Sequence, residues 1–402
     1  MSGAMLSVEQ AELIIAVAEQ VLIDGATLDR AYSKVFAGKR LASSDQALIS
    51  SHAGALLRKL NYYAAVAEVN LPIAPAQLQS LVAVYFQLHQ LRSPAIRIQL
   101  SDSQLNERVA QLQQYPALVD GCPEWLDILG QQQLAERWPA ERAALAAEPK
   151  RYVRANLLKT TTDKLASRLA NEGISSQAVV NVATALEITN NASLFRTESY
   201  NDGWFEQQDA GSQMVAEVLD VKPGMRVIDA CAGNGGKTLA IAAMMQGKGR
   251  LLAMDVEQWK LDNLKKRAKR AGAHNIETRL ITSSKTIKRI AMSADRVLLD
   301  VPCSGLGVLK RHPDTKWGDT ESRLPVLAEL QAHILGSYSR MLKVDGILVY
   351  ATCSIMPSEN RAQVQRFVTE KPQFELIEDS TVWPSETGFD GFYWAKIKRI
   401  AE

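Results

Sequence analysis

CAGNGGKT, residues 231–238, follows the apolar run KPGMRVIDA (222–230) and opens the alanine-rich stretch LAIAAMMQG (239–247). A glycine-rich turn between a strand and a helix aims backbone N–H groups and a helix N-terminus at a ligand, commonly a phosphate or nucleotide. The GGKT ending suggests an NTP-binding P-loop. Such a loop requires glycine five residues before Gly236, and that position is Cys231. VLLD (297–300) looks like a Walker B strand, but many parallel strands end in Asp. The other reading is a Rossmann-type turn in which Gly233, Gly235 and Gly236 bring backbone close to a ligand. The next apolar run ends in Asp255. An acid there accepts hydrogen bonds from both hydroxyls of a ribose. This suits an adenosine-containing cofactor and leaves NAD and S-adenosylmethionine both open.

Around the turn the chain repeats one pattern. MRVIDA (225–230), RLLAMD (250–255), ETRLIT (277–282), DRVLLDV (295–301) and GILVYAT (346–352) are short apolar runs separated by helical stretches. The alternation predicts a parallel sheet covered on both faces. Ligands of such sheets bind beyond the carboxyl ends of the strands, so the residues after each run carry the chemistry.

The rest of the chain differs. Residues 1 to about 145 are rich in Ala, Leu and Gln with apolar residues at helical spacing, which predicts a helical region without catalytic groups. Pro116, Pro123, Pro139 and Pro149 punctuate its exit. Residues 146–205 form a small α+β module: RYVRANLLKT (151–160) reads as a strand, KLASRLANEGI (164–174) as a helix ending at Gly173, AVVNVATALEIT (178–189) as strand-like. The chain of 402 residues carries a net charge of +2, too little to argue for nucleic acid by itself. AELIIAVAEQVLI (11–23) is interrupted by Glu12, Glu19 and Gln20, and no apolar run reaches the ~20 residues of a membrane span. Cys122, Cys231, Cys303 and Cys353 are far apart and lack CxxC spacing, so neither a metal nor a disulfide framework is expected. A reducing cytoplasmic setting follows from the same reading.

The fourth run leads into DVPCSG (300–305) and the fifth into YATCS (350–354). In a doubly wound sheet of methyltransferase type these strands are neighbours, so Cys303 and Cys353 would face one crevice beside the glycine turn. A buried cysteine is usually a small hydrophobe; two at equivalent strand ends, one near Asp300, suggest chemistry. Carbon 5 of a pyrimidine is a poor nucleophile. A thiolate that adds to C6 makes C5 enamine-like and able to attack a sulfonium methyl, after which loss of the C5 proton releases the enzyme. An acid at Asp300 would stabilise the adduct near N3. Amine methyltransferases carry [DN]PP[FY] where this chain has DVPC. The residues alone do not rank the two thiols.

Five motifs, in order, resemble the RNA (cytosine-5) methyltransferases of the Sun/Fmu family: QQDAGSQ (207–213), DACAGNGGKT (229–238), DVPCSGLGVLKRHPDTKW (300–317), YATCSIMPSEN (350–360) and DGFYWAKI (390–397). RANLLKTT (154–161) is similar to the module that precedes the family's catalytic domain, and the likeness runs from about residue 123 to the end. The resemblance implies an α/β fold: a Rossmann-like class I methyltransferase domain (206–402), preceded by a small α+β RNA-binding module (146–205) and an all-helical N-terminal domain (1–145). That last domain could correspond to the NusB-like, RNA- or partner-binding domain of some members. It implies S-adenosylmethionine as cofactor, with the backbone of Cys231, Ala232, Gly233, Asn234, Gly235, Gly236 and Lys237 at its methionine end and Asp255 at its ribose. Cys353 becomes the expected nucleophile, Cys303 the group assisting product release, and Lys237 and Asp300 the lining of the base pocket.

Two departures stand out. Gly233 and Asn234 replace the family's usual Ala-Pro, and Thr282 and Ser283 stand where an acid usually follows the third strand. Lys310, Arg311 and Lys316 flank the cysteine loop and are expected to neutralise RNA phosphates, with Lys285, Lys288 and Arg289 as further candidates. The basic helix KLDNLKKRAKR (260–270) is read as solvated, with Leu261, Leu264, Ala268 and Ala271 as its apolar stripe. The expectation is a monomeric RNA cytosine-5 methyltransferase acting on ribosomal RNA. The alternatives are the same chemistry on tRNA, or an RNA-binding assembly factor without catalysis.

Overall fold

The computed structural model describes residues 4–402; residues 1–3 of the helical region lie outside the described residues. The chain divides into two compact units. One comprises Met1–Glu148 and Val308–Ser322, the other Pro149–Gly307 and Arg323–Glu402.

The second unit holds two sheets. The small one contains β1 (Arg151–Ala155), β2 (Ser176–Ala178), β3 (Ala185–Ile188) and β4 (Phe205–Gln207), antiparallel in the order β2-β3-β1-β4. It packs with the helix Thr162–Asn171 around Val153, Leu165, Leu169, Leu186 and Phe205. The strand expected over 151–160 stops at Ala155, because Asn156 turns the chain. The Asn156 side-chain amide donates to the carbonyls of Gly203 and Ala271 at 2.7 and 2.8 Å. Of 178–189, only the ends pair in strands; residues 179–184 form a turn.

The large sheet contains β5 (Arg226–Asp229), β6 (Arg250–Asp255), β7 (Ile276–Leu280), β8 (Ala294–Asp300), β9 (Leu342–Thr352), β10 (Phe374–Val382) and β11 (Phe392–Arg399), in the order β10-β11-β9-β8-β5-β6-β7. The five apolar runs are β5 to β9, and they pair in parallel. β10 and β11 add antiparallel beside β9, extending the five parallel strands into a mixed sheet. Burial on both faces explains the unbroken apolar runs: Leu251, Leu252, Ala253, Met254 and Asp255 of β6 are all buried. Register decides what meets. Asp300 of β8 lies opposite Ala351 of β9, and Asp229 of β5 opposite Leu298 of β8. The turns after β5, β8 and β9 therefore leave one edge of the sheet side by side.

The basic helix spans Gln258–Ala271, and Leu261, Leu264, Ala268 and Ala271 are its buried residues, as the periodicity required. Its charged face is not wholly solvated: Arg267 and Arg270 grip buried Glu206 at 2.8 and 2.5 Å.

The first unit is helical from Val8–Leu22 to Trp138–Leu145, with a core that includes Ile14, Ile49, Leu56, Leu81 and Phe86. Residues 308–322, expected within the catalytic domain, cluster with it. The N-cap Thr27 makes no side-chain bond to its helix Leu28–Phe36; the Asp314 carboxylate accepts the Leu28 N–H instead, at 3.1 Å. The Trp317 indole N–H donates to the Leu57 carbonyl at 2.6 Å. Lys316 Nζ donates to the carbonyls of Arg58 and Gly121, each at 2.7 Å.

Candidate active site

The turn after β5 begins with a buried acid. Asp229 accepts the Thr238 hydroxyl at 2.7 Å, and burial pushes its carboxyl up to about 7. Gly233 and Gly235 sit at φ +52° and +86°, where glycine is the least strained residue. A Cβ on Gly235 would meet Leu264 Cγ at 2.6 Å, whereas one on Gly233 would meet nothing within 4 Å. The turn is thus closed toward the basic helix and open at Gly233. Asp255, at the end of β6, fixes it from the other side: one carboxylate oxygen accepts the Gly233 N–H at 2.8 Å, the other the Glu257 N–H at 2.9 Å. Each oxygen keeps a further lone pair. Exposed Asn234 gives its carbonyl to Arg267 at 2.6 Å, and its side chain reaches Asn263 at 3.5 Å.

Lys237, in the first turn of the helix Gly236–Met244, is buried, and its Nζ lies 2.6 Å from Asp300 Oδ2. Burial alone would lower the ammonium; the Asp300 carboxylate outweighs it and raises the Lys237 pKa. Lys237 also lies 5.1 Å from the centre of the Phe392 ring.

Cys303 and Cys353 are both half-buried, and their sulfurs are 3.2 Å apart. The Cys353 N–H also points at Cys303 Sγ, at 3.3 Å. The bond shared with Cys353, together with burial, pushes the Cys303 thiol well up, so Cys303 is held protonated. Cys231 is pushed up too, by burial and by the carboxylates of Asp229, Asp300 and Asp255. It is a thiol beneath the turn. Cys122 belongs to the helical unit, where burial raises it to about 12.

The structure thus brings Lys237, Asp300, Cys303 and Cys353 together, with Asp255 and residues 231–237 around the adjoining turn. It separates the expected phosphate contacts. Lys310 and Lys316 are buried, and Lys316 spends its ammonium on two carbonyls in a setting that lowers it to about 8. Lys316, sequestered in this way, is a strut of the helical unit and not a phosphate ligand, which corrects the expectation for that lysine. Arg311 is half-buried, whereas Lys285, Lys288 and Arg289 are exposed, as are Thr282 and Ser283.

Sequence reasoning missed the polar groups beneath the cysteines: Ser304, Gln331, Ser354 and Glu359. The one available sign was that each cysteine is followed by serine. Arg154 was also missed; its guanidinium holds the Gly236 carbonyl at 2.7 Å and bonds Gln208.

Residues 216–398 match the family described as 16S rRNA methyltransferase RsmB/F, and residues 122–194 match its ferredoxin-like domain. Ribosomal RNA small subunit methyltransferase B of Pasteurella multocida is 33% identical over 296 residues, 69% of this chain and 65% of that protein. The Pseudomonas putida protein of the same name is 30% identical over 311 residues, 73% of this chain and 70% of that protein. The matched segments thus span about two thirds of these relatives. A methyltransferase homologue from Pyrococcus horikoshii has TM-score 0.61 and 27% identity, covering 75% of this chain and all of its own. The structure of PH0851 shares the fold over 96% of this chain and 98% of its own, with TM-score 0.78 and 22% identity. By sequence and by fold, the chain belongs to the RsmB/F family of 16S rRNA methyltransferases.

Proposed function

We propose that this chain is an S-adenosylmethionine-dependent RNA cytosine-5 methyltransferase that acts on ribosomal RNA in the cytoplasm. The observation that carries the reading is the pair of sulfurs 3.2 Å apart at adjacent strand ends, beside the Lys237–Asp300 pair.

The residues present fit the cofactor. Asp255 is immobilised by two backbone N–H groups and retains lone pairs for a vicinal diol. The turn is open at Gly233, where a ligand can approach the backbone. When bound, S-adenosylmethionine supplies an electrophilic methyl group.

The chain's own groups do the rest. Cys353, as thiolate, adds to C6 of a cytosine flipped out of its stack. Protonated Cys303 lies against that sulfur and is poised to donate to it. As negative charge moves into the ring, the Lys237 ammonium hands a proton through the Asp300 carboxylate to N3, and N3 returns it when the ring re-aromatises. Once C5 carries the methyl, solvent water takes the C5 proton, and Cys303 assists as a thiol, its S–H held against the departing sulfur of Cys353. The C5=C6 bond re-forms, the C6–S bond breaks and Cys353 is returned.

RNA is the proposed partner, with exposed Lys285, Lys288 and Arg289 as phosphate contacts. No helix among the described residues is long and apolar enough to cross a membrane, and among them no group of His, Cys, Asp or Glu could hold a metal ion. In the test, Cys353→Ala abolishes methyl transfer, and Cys303→Ala accumulates a covalent RNA–protein adduct on denaturing gels. Turnover by Cys353→Ala, or no adduct with Cys303→Ala, contradicts the assignment.

A further inference from the structure

Beneath the two thiols lies a carboxylate that the reaction above does not use. Glu359 is 1% exposed. Its Oε1 accepts the Ser304 N–H at 2.8 Å and the Gln331 side-chain amide at 3.0 Å. Its Oε2 accepts the hydroxyls of Ser304 and Ser354 at 2.5 and 2.6 Å. All four contacts are made by donor groups, an arrangement that suits a carboxylate.

The partners matter by position. Ser304 follows Cys303 and Ser354 follows Cys353. One carboxylate oxygen therefore holds the residue next to each sulfur. The serines then pass the constraint on. With their protons committed to Glu359, their oxygens accept backbone N–H groups further along each loop: Leu306 to Ser304 at 3.3 Å and Met356 to Ser354 at 3.2 Å. Gln331, of the helix Thr320–Tyr338, closes the frame by donating also to the Pro302 carbonyl at 3.0 Å. The Glu359 carbonyl accepts the Tyr350 hydroxyl of β9 at 2.7 Å. Cross-strand pairing ends at the tips of β8 and β9, with Asp300 opposite Ala351 and the Val301 N–H bonded to the Ala351 carbonyl. Beyond that point the ladder no longer sets the spacing of the two loops, and the Glu359 frame bridges them at the serines.

We infer that Glu359 is the positioning residue that sets Cys303 and Cys353 in register for the two halves of the reaction. It touches neither base nor cofactor; it acts through Ser304 and Ser354. The inference rests on the cysteine chemistry proposed above. Loss of register in a site of this kind costs on the order of 100-fold in turnover.

The test pairs turnover with a direct reading of thiol spacing. Phenylarsine oxide bridges two thiols only when they lie close together, forming two As–S bonds and releasing water. The wild-type protein is expected to be captured as the Cys303–Cys353 adduct, identified by peptide mass mapping. In Glu359→Gln the amide cannot accept from all four donors. Its kcat is expected to fall about 100-fold and its arsenical capture to slow, with calorimetric binding of S-adenosylmethionine and the KM for RNA unchanged. If Glu359→Gln does not fold, the Ser304→Ala/Ser354→Ala double variant removes both hydroxyl contacts and is expected to show the same pattern. Wild-type kcat and capture in whichever variant folds overturns the inference. So does a fall in kcat matched by an equal loss of cofactor binding. Cys353→Ala separates the two levels: a dead Cys353→Ala beside a fully active Glu359→Gln removes only the role of Glu359, whereas an active Cys353→Ala removes the reading beneath it.

Discussion

The ammonium of Lys237, from the turn after β5, lies 2.6 Å from Asp300 Oδ2 at the end of β8. This one contact joins the glycine turn to the loop that carries Cys303. Both groups are withdrawn from bulk water, with side-chain exposures of 10% and 28%, so the pair is stronger than a surface ion pair and still open on one side. Asp300→Asn should lower kcat by about 100-fold through loss of a preorganised charge. Single-turnover methyl transfer at saturating RNA checks this, and an effect on the KM for RNA alone would place Asp300 outside the chemistry.

Asp229 makes stability depend on pH. Burial raises its folded carboxyl from the usual 3.8 to about 7. The folded state therefore prefers the protonated acid. The stability contributed is fully present below about pH 4 and is lost as pH rises through about 7. Asp229→Asn stays neutral and can still accept the Thr238 hydroxyl. It should gain on wild type as pH rises, by up to roughly 4 kcal/mol at pH 8. Urea melts at several pH values report this; a constant difference between the two proteins would contradict it.

Gly235 sits at φ +86° with Leu264 where a side chain would go. Gly235→Ala combines backbone strain with a clash and should cost about 2–4 kcal/mol. Gly233→Ala meets open space and should cost only the strain of a positive φ, about 1–2 kcal/mol. Thermal melts rank the two, and equal effects would show that the turn is not packed against the basic helix.

Lys316 separates a strut from a phosphate contact. Lys316→Met leaves two carbonyls without their donor and should destabilise the helical unit by about 3 kcal/mol. The salt dependence of RNA binding should stay unchanged. A slope reduced by about 1 in that variant would mean a lost phosphate contact; Lys288→Ala is where that change is expected.

Much of this was legible because the determinants are local. RLLAMD is a strand buried on both faces, and its six residues are β6. The stripe Leu261, Leu264, Ala268 and Ala271 is written at helical spacing. Cys303 and Cys353 could be placed together because parallel register aligns strand ends. What escaped depends on contacts between distant segments. Lys316 reads as one more basic residue in a motif, yet its partners, Arg58 and Gly121, are 258 and 195 residues away. Glu359 reads as an ordinary polar residue before a helix, and only the closeness of two loops 50 residues apart makes it a bridge. Asn234, which stands where the resemblance expects proline, makes its main bond, to Arg267, through the backbone carbonyl, a group that proline also carries.

The central claim is that this chain methylates carbon 5 of a ribosomal RNA cytosine. Bisulfite sequencing of total RNA, from cells with and without the gene, tests it most directly. The account predicts a ribosomal RNA cytosine that resists conversion only when the gene is present, and that a Cys353→Ala copy does not restore. An RNA population whose unconverted cytosines are the same in both strains would contradict it.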